Sequence, residues 1–106
     1  WQPDFAKLEK TDTEKVKLMW VNYPNMPTGA PATPELFSKL VAFAQAHKIL
    51  VCNDNPYSLI LNDSLLSILS YDKTGKRVLE LNSMSKSFNM AGWRVGMVLG
   101  HRSYID

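Results

Sequence analysis

A lysine crowded by hydroxyls is the most reactive arrangement in this sequence. Ser83, Ser85 and Ser87 surround Lys86, and Arg94 follows the lysine by eight residues. A lysine amine forms Schiff bases with carbonyl compounds. Hydroxyls donate single hydrogen bonds, and a guanidinium fork grips two oxygens of a phosphate. Two other polar clusters precede it, Asn22-Tyr23-Pro24-Asn25-Met26-Pro27-Thr28-Gly29 and Asp54-Asn55-Pro56-Tyr57. Amine, carboxylate, phenol and guanidinium are the groups a cofactor site needs. Each residue also has a plainer reading. Most lone lysines are solvated cations, Asp54 suits a turn before Pro56, Tyr57 suits a packed aromatic, and Gly92 suits an ordinary turn. An Asp-x-x-Tyr alone carries almost no information, whereas Ser-x-Ser-Lys followed by that arginine carries much more.

The elements that must position these clusters alternate strand and helix, which predicts an α/β fold with a mostly parallel sheet. Residues 1–14 read as a connecting stretch. Residues 16–21 form a short apolar run that suits a buried strand. The prolines at 24 and 27 then exclude regular structure. Thr33 is an N-cap, with Pro34 at the first helical position and Glu35 favourable to the dipole. That helix runs to about His47, with Leu36, Leu40, Phe43, Ala44 and His47 on one face and Phe37 and Val41 beside it. A second strand covers 49–53, and 57–61 extend the sheet or its loop. A short helix over 64–70, a third strand at 77–81, a polar loop at 82–88 and a fourth strand at 95–99 complete the pattern. Trp20, Trp93 and Cys52 are assigned to the core, and Gly92 is read as giving the backbone room to turn. Open α/β sheets bind ligands at the carboxyl ends of their strands, so the loops 24–29, 54–57 and 83–94 converge if their strands are neighbours. One helix covers only one face of such a sheet, and parallel sheets need both covered. The pattern is that of the middle of a larger domain.

The three clusters in this order, each after an apolar strand, resemble the class I/II aminotransferases of the pyridoxal-phosphate (PLP) fold type I, nearest the aspartate and LL-diaminopimelate aminotransferase branch. The resemblance runs from Val16 onward. It implies a pyridoxal 5'-phosphate enzyme that moves an amino group between an amino acid and a 2-oxo acid. Lys86 would carry the cofactor and then move a proton, Asp54 would hold the proton on the ring nitrogen, and Tyr57 would donate to the phenolic oxygen. Ser83, Ser85 and Arg94 would hold the phosphate. The family has Asn directly before Pro-Thr-Gly, where this chain has Met26. Either the adjacent Asn25 takes that role, or Tyr57 serves the phenolic oxygen alone, or the site is electronically altered. The resemblance further implies a homodimer, and a central segment of the large domain spanning 1–106. The family's glycine-rich loop, stacking aromatic, substrate arginine and small domain are not in these residues, so the segment alone is expected to be inactive.

Composition narrows the alternatives. Net charge is only +2, and the basic residues are scattered, which disfavours nucleic acid. No apolar run approaches the ~20 residues of a membrane span. The single cysteine excludes an intrachain disulfide and suits a reducing, cytoplasmic compartment. The chain opens on Trp1 without an initiator Met, so the expected start lies upstream. No His/Cys/Asp/Glu spacing suggests a metal site. His47 reads as a helix-end cation, and His101 has no evident partner. A fold type I lyase or decarboxylase shares the same anchor residues, and a non-catalytic aminotransferase-like binding domain is the rival from another class.

Overall fold

A computed structural model describes residues 2–60 and 62–106. Its elements, in chain order, are α1 (Phe5–Leu8), β1 (Leu18–Asn22), α2 (Pro34–His47), β2 (Leu50–Asp54), a 3-10 turn (Ile68–Tyr71), β3 (Val78–Ser83), α3 (Met84–Ser87), a second 3-10 turn (Ala91–Trp93), β4 (Gly96–Gly100) and α4 (Arg102–Ile105). One four-stranded sheet has the order β1-β2-β3-β4. The first three strands are parallel, with Val21 opposite Asn53 and Val51 opposite Val78. The last is antiparallel, with Leu81 opposite Val98. The expected α/β fold and mostly parallel sheet are therefore present.

The long helix forms where its caps and period place it. Thr33 Oγ1 accepts from the Leu36 amide at 3.1 Å, Pro34 takes the first helical position, and Lys48 ends the helix in the left-handed region at φ 55°. Leu36, Phe37, Leu40, Val41 and Ala44 pack on Val21, Val51 and Val78, joined by Tyr23 and Ile68. Phe37 is completely buried, edge-on to Tyr23 and Tyr71 with ring centroids 6.4 and 5.7 Å away. Among the described residues this core lies on one face of the sheet.

The opposite face is uncovered among the described residues. Successive strand residues point to opposite faces, so Leu18, Trp20 and Val98 lie on the open side and are exposed. Trp20, assigned to the core from sequence, is 56% exposed for this reason, and Trp93 is 72% exposed in the second 3-10 turn. Cys52 is buried as expected, and burial pushes its thiol pKa up, leaving it protonated and inert.

Other differences are local. A short helix, α1, capped by Asp4, interrupts the expected connecting stretch; Trp1 lies outside the described residues. His47 sits at the end of α2, where its Nε2 meets Glu9 Oε2 at 3.0 Å and its Nδ1 meets Thr13 Oγ1 at 2.9 Å. His101 does have a partner, Ser103, and caps α4. The helix expected over 64–70 is the 3-10 turn at Ile68–Tyr71. Residues 57–60 do not extend the sheet but turn, with the Ile60 amide donating to the Tyr57 carbonyl at 3.0 Å; Leu61 lies outside the described residues.

Asp72 organises the entry to β3. Its carboxylate accepts from the Thr74 hydroxyl at 2.7 Å, the Arg77 amide at 2.7 Å, the Thr74 amide at 3.1 Å and Gln45 at 3.4 Å. Burial pushes its pKa up, but these hydrogen bonds together outweigh burial and hold it below the usual 3.8. A depressed carboxylate stabilises the fold above its unfolded value, and that contribution disappears as pH falls through the lower folded value. Asp72→Asn is expected to cost about 1 kcal/mol near neutral pH, with the difference from wild type narrowing towards about pH 3. Urea midpoints at the two pH values check this.

Candidate functional site

Because β1, β2 and β3 are adjacent and parallel, the segments that follow them leave the same edge of the sheet. Asp54 is the last residue of β2, opposite Leu81, and Ser83 lies two residues beyond Leu81 on the same face. Both therefore belong to the open side, away from the core under α2. Asp54 is half-buried, and among the described residues its carboxylate has no hydrogen-bond partner.

Asn22 ties the first loop to the second strand. Its amide nitrogen donates to the Asp54 carbonyl at 2.7 Å, and its side-chain oxygen accepts from the Met26 amide at 2.6 Å. Asn25 is engaged within its own loop. Its side-chain oxygen accepts from Thr28 Oγ1 at 2.7 Å, its amide nitrogen donates to the Asn22 carbonyl at 3.4 Å, and its backbone bonds to Ala30 and Gly29. Met26 is exposed at the rim of a cleft of about 520 Å³, lined among others by Pro24, Asn25, Pro31, Tyr57 and Ile60. This cleft brings Asn25 and Tyr57 together. Asp54, Ser83, Ser85, Lys86 and Arg94 do not line it.

The third cluster is not the polar loop expected at 82–88. Asn82 and Ser83 complete β3, and α3 follows at once. Four residues cannot hold a helix by propensity; a side-chain cap and two bonds to other segments fix it. Ser83 Oγ accepts from the Ser85 amide at 3.1 Å, the Met84 amide donates to the Val95 carbonyl at 3.2 Å, and Ser87 Oγ donates to the Pro56 carbonyl at 3.3 Å. The last bond joins α3 directly to the second loop. Lys86 is exposed on α3, with its amine unpartnered among the described residues.

Arg94 sits in the left-handed region at φ 54°, a strained choice for a residue with a Cβ. Its guanidinium donates to the Ala91 carbonyl at 3.1 Å. The turning is done here and at Asn89, φ 53°, not at Gly92. A Cβ at Gly92 would meet nothing within 4 Å, so the described chain places no steric demand for glycine there.

Sequence reasoning overlooked three supports. Asn22 is one. Asn53, fully buried, accepts from the Tyr23 amide at 3.0 Å and so fixes the start of the first loop. Glu80, on the core side of β3, accepts from Asn55. Glu80 interrupts the apolar run of β3 and Asn53 ends that of β2, and a polar residue at an inward strand position is the signal that marks them.

A family model for aminotransferase class I and II matches residues 1–106. The chain is 48% identical over 105 residues to the LL-diaminopimelate aminotransferase of Gloeobacter violaceus, and 37% identical over 105 residues to that of Aquifex aeolicus. In both cases 97% of this chain is covered, against 27% of the relative. Among solved structures it resembles apo BacF from Bacillus subtilis, with a TM-score of 0.91 at 40% identity over 99% of this chain and 27% of BacF. It also resembles the Thermotoga maritima aspartate aminotransferase, with a TM-score of 0.85 at 33% identity over 96% of this chain and 28% of that one. The chain thus spans about a quarter of the length of the relatives it matches.

Proposed function

The chain belongs to the class I and II aminotransferase family, and from that premise we propose that it is the central segment of the large domain of a pyridoxal-phosphate enzyme that exchanges an amino group between an amino acid and a 2-oxo acid. The observation that carries the reading is the placement of an exposed lysine on α3, which Ser87 bonds to the loop that follows Asp54 and holds Tyr57, with Asp54 half-buried on the open side and its carboxylate unpartnered among the described residues. The donor set fits the cofactor: an amine for its carbonyl, a carboxylate for its ring nitrogen, a phenol for its hydroxyl, and hydroxyls with a guanidinium for its phosphate.

When bound, pyridoxal phosphate supplies a carbonyl for amine exchange and a ring that accepts an electron pair from the substrate carbon. The protein's residues bind and orient it. Lys86 Nζ would anchor the cofactor, and as a free amine it would move a proton. The Asp54 carboxylate keeps the ring nitrogen protonated. Tyr57 donates its phenolic proton to the ring hydroxyl. Ser83, Ser85 and Arg94 would hold the phosphate through two hydroxyls and a guanidinium. Asn25 is engaged by Thr28 and Asn22, which favours Tyr57 as the principal donor to the ring hydroxyl. Amino acids such as LL-diaminopimelate, the substrate in the relatives' names, are the first donors to test, with a homodimer in the cytoplasm as the working form.

The protein that carries this chain, loaded with pyridoxal phosphate, should convert an amino donor and 2-oxoglutarate into a new 2-oxo acid and glutamate. Release of ammonia or a thiol, without amino transfer to the acceptor, would favour a lyase and overturn the transaminase reading.

A further inference from the structure

Of the two buried carboxylates outside the mechanism above, Asp72 and Glu80, only Glu80 is bonded to the loop that follows Asp54. Glu80 is 6% exposed on the core face of β3, and no cation pairs with it among the described residues. A buried carboxylate is costly unless its lone pairs are satisfied. Three donors satisfy it: Asn55 Nδ2 at 2.8 Å on one oxygen, and on the other the Ile68 amide at 2.8 Å and Ser67 Oγ at 3.0 Å.

Asn55 carries the arrangement to the site. It is 2% exposed, its backbone amide donates to the Leu81 carbonyl at 2.8 Å, and its side-chain oxygen accepts from the Ser58 amide at 3.2 Å. That last bond closes a turn over residues 55–58 with Pro56 and Tyr57 at its tip. Asp54 precedes Asn55 and points to the opposite face. Holding Asn55 on the core side therefore fixes the rotation of Asp54 towards the open side and the direction in which Tyr57 leaves the turn.

We propose that Glu80 is a positioning residue for the site, acting through Asn55 to set the turn that aims Tyr57 and orients Asp54. This rests on the pyridoxal-phosphate reading, because those are the residues that would tune the bound ring. The polarity of the contact gives it a specific signature. In Glu80→Gln, the glutamine oxygen can serve Ser67 and Ile68, but its NH2 then faces the NH2 of Asn55, donor against donor. Asn55 cannot flip without leaving the Ser58 amide unpaired. The double change Glu80→Gln with Asn55→Asp restores a match, since the new carboxylate accepts from both the glutamine and Ser58.

Two measurements on the protein that carries this chain test the proposal. The first is hydrogen exchange of the Asn55, Tyr57 and Ser58 amides without cofactor. The second is the pH midpoint of the absorbance of bound pyridoxal phosphate. Glu80→Gln is expected to speed exchange about tenfold or more and to move the midpoint by about half a unit or more. The double variant should return both towards wild type, and it alone suffices should the single variant not fold. Ser67→Ala, which removes a donor to the far oxygen of Glu80 and the cap on the Leu69 amide but leaves the Asn55 contact, should leave the midpoint in place. Unchanged exchange in Glu80→Gln overturns the proposal, as does faster exchange with an unmoved midpoint, which would make the clamp merely structural. A wild-type protein that binds pyridoxal phosphate nowhere would remove the cofactor reading and the proposal with it, while the exchange data would still show the clamp.

Discussion

Replacing Lys86 with alanine is expected to lower amino transfer by the protein that carries this chain by roughly four orders of magnitude or more. The size of the effect follows from the two tasks proposed for one atom: anchoring the cofactor and moving a proton. No neighbour can substitute, because Ser85 and Ser87 are poor nucleophiles without a base and the other lysines lie on separate elements. Lys86→Arg should fail almost as badly, since a guanidinium keeps its charge and does not supply a free amine. Lys76→Ala, in the turn before β3, should leave kcat/KM within about twofold. Steady-state assays of the three variants check this, and a Lys86→Ala enzyme with activity near wild type would contradict it.

The second large effect is on stability. Phe37→Ala is expected to cost about 3–5 kcal/mol, the range for emptying a packed aromatic site. Phe37 is completely buried and braced edge-on by Tyr23 and Tyr71, so the cavity also removes two aromatic contacts. The damage should reach the site, because Tyr23 opens the first loop and is held by Asn53. Phe37→Leu, which keeps most of the volume, should cost clearly less. Denaturant midpoints measure both, and a Phe37→Ala loss below about 1 kcal/mol would show that the surroundings collapse into the space.

What could be read before folding was whatever is written locally. The α2 cap at Thr33, its proline and its buried face follow from period and composition. All four strands appear, shifted by one or two residues towards the C-terminus, as 16–21 became Leu18–Asn22 and 77–81 became Val78–Ser83. Such shifts are expected, because pairing partners and not propensity set where a ladder stops. The antiparallel direction of β4 and the existence of α3 were not legible, since both depend on contacts such as the Met84 amide with Val95. Trp20 was misplaced because its burial depends on which face of the sheet is covered, and an alternating strand does not say which. The three clusters proposed for the site were legible as residue types that follow adjacent parallel strands. The partners of their supports were not, because the bonds that tie Asn22 to Asp54, Asn53 to Tyr23 and Glu80 to Asn55 each span 25 or more positions.

The central claim is that Lys86 carries the cofactor. The direct measurement is to saturate the protein that carries this chain with pyridoxal phosphate, reduce it with borohydride, and map the pyridoxyl mass adduct by peptide digestion. The account predicts one stoichiometric adduct on Lys86, lost in Lys86→Ala. Adducts spread over other lysines, with Lys86 unmodified, would contradict it.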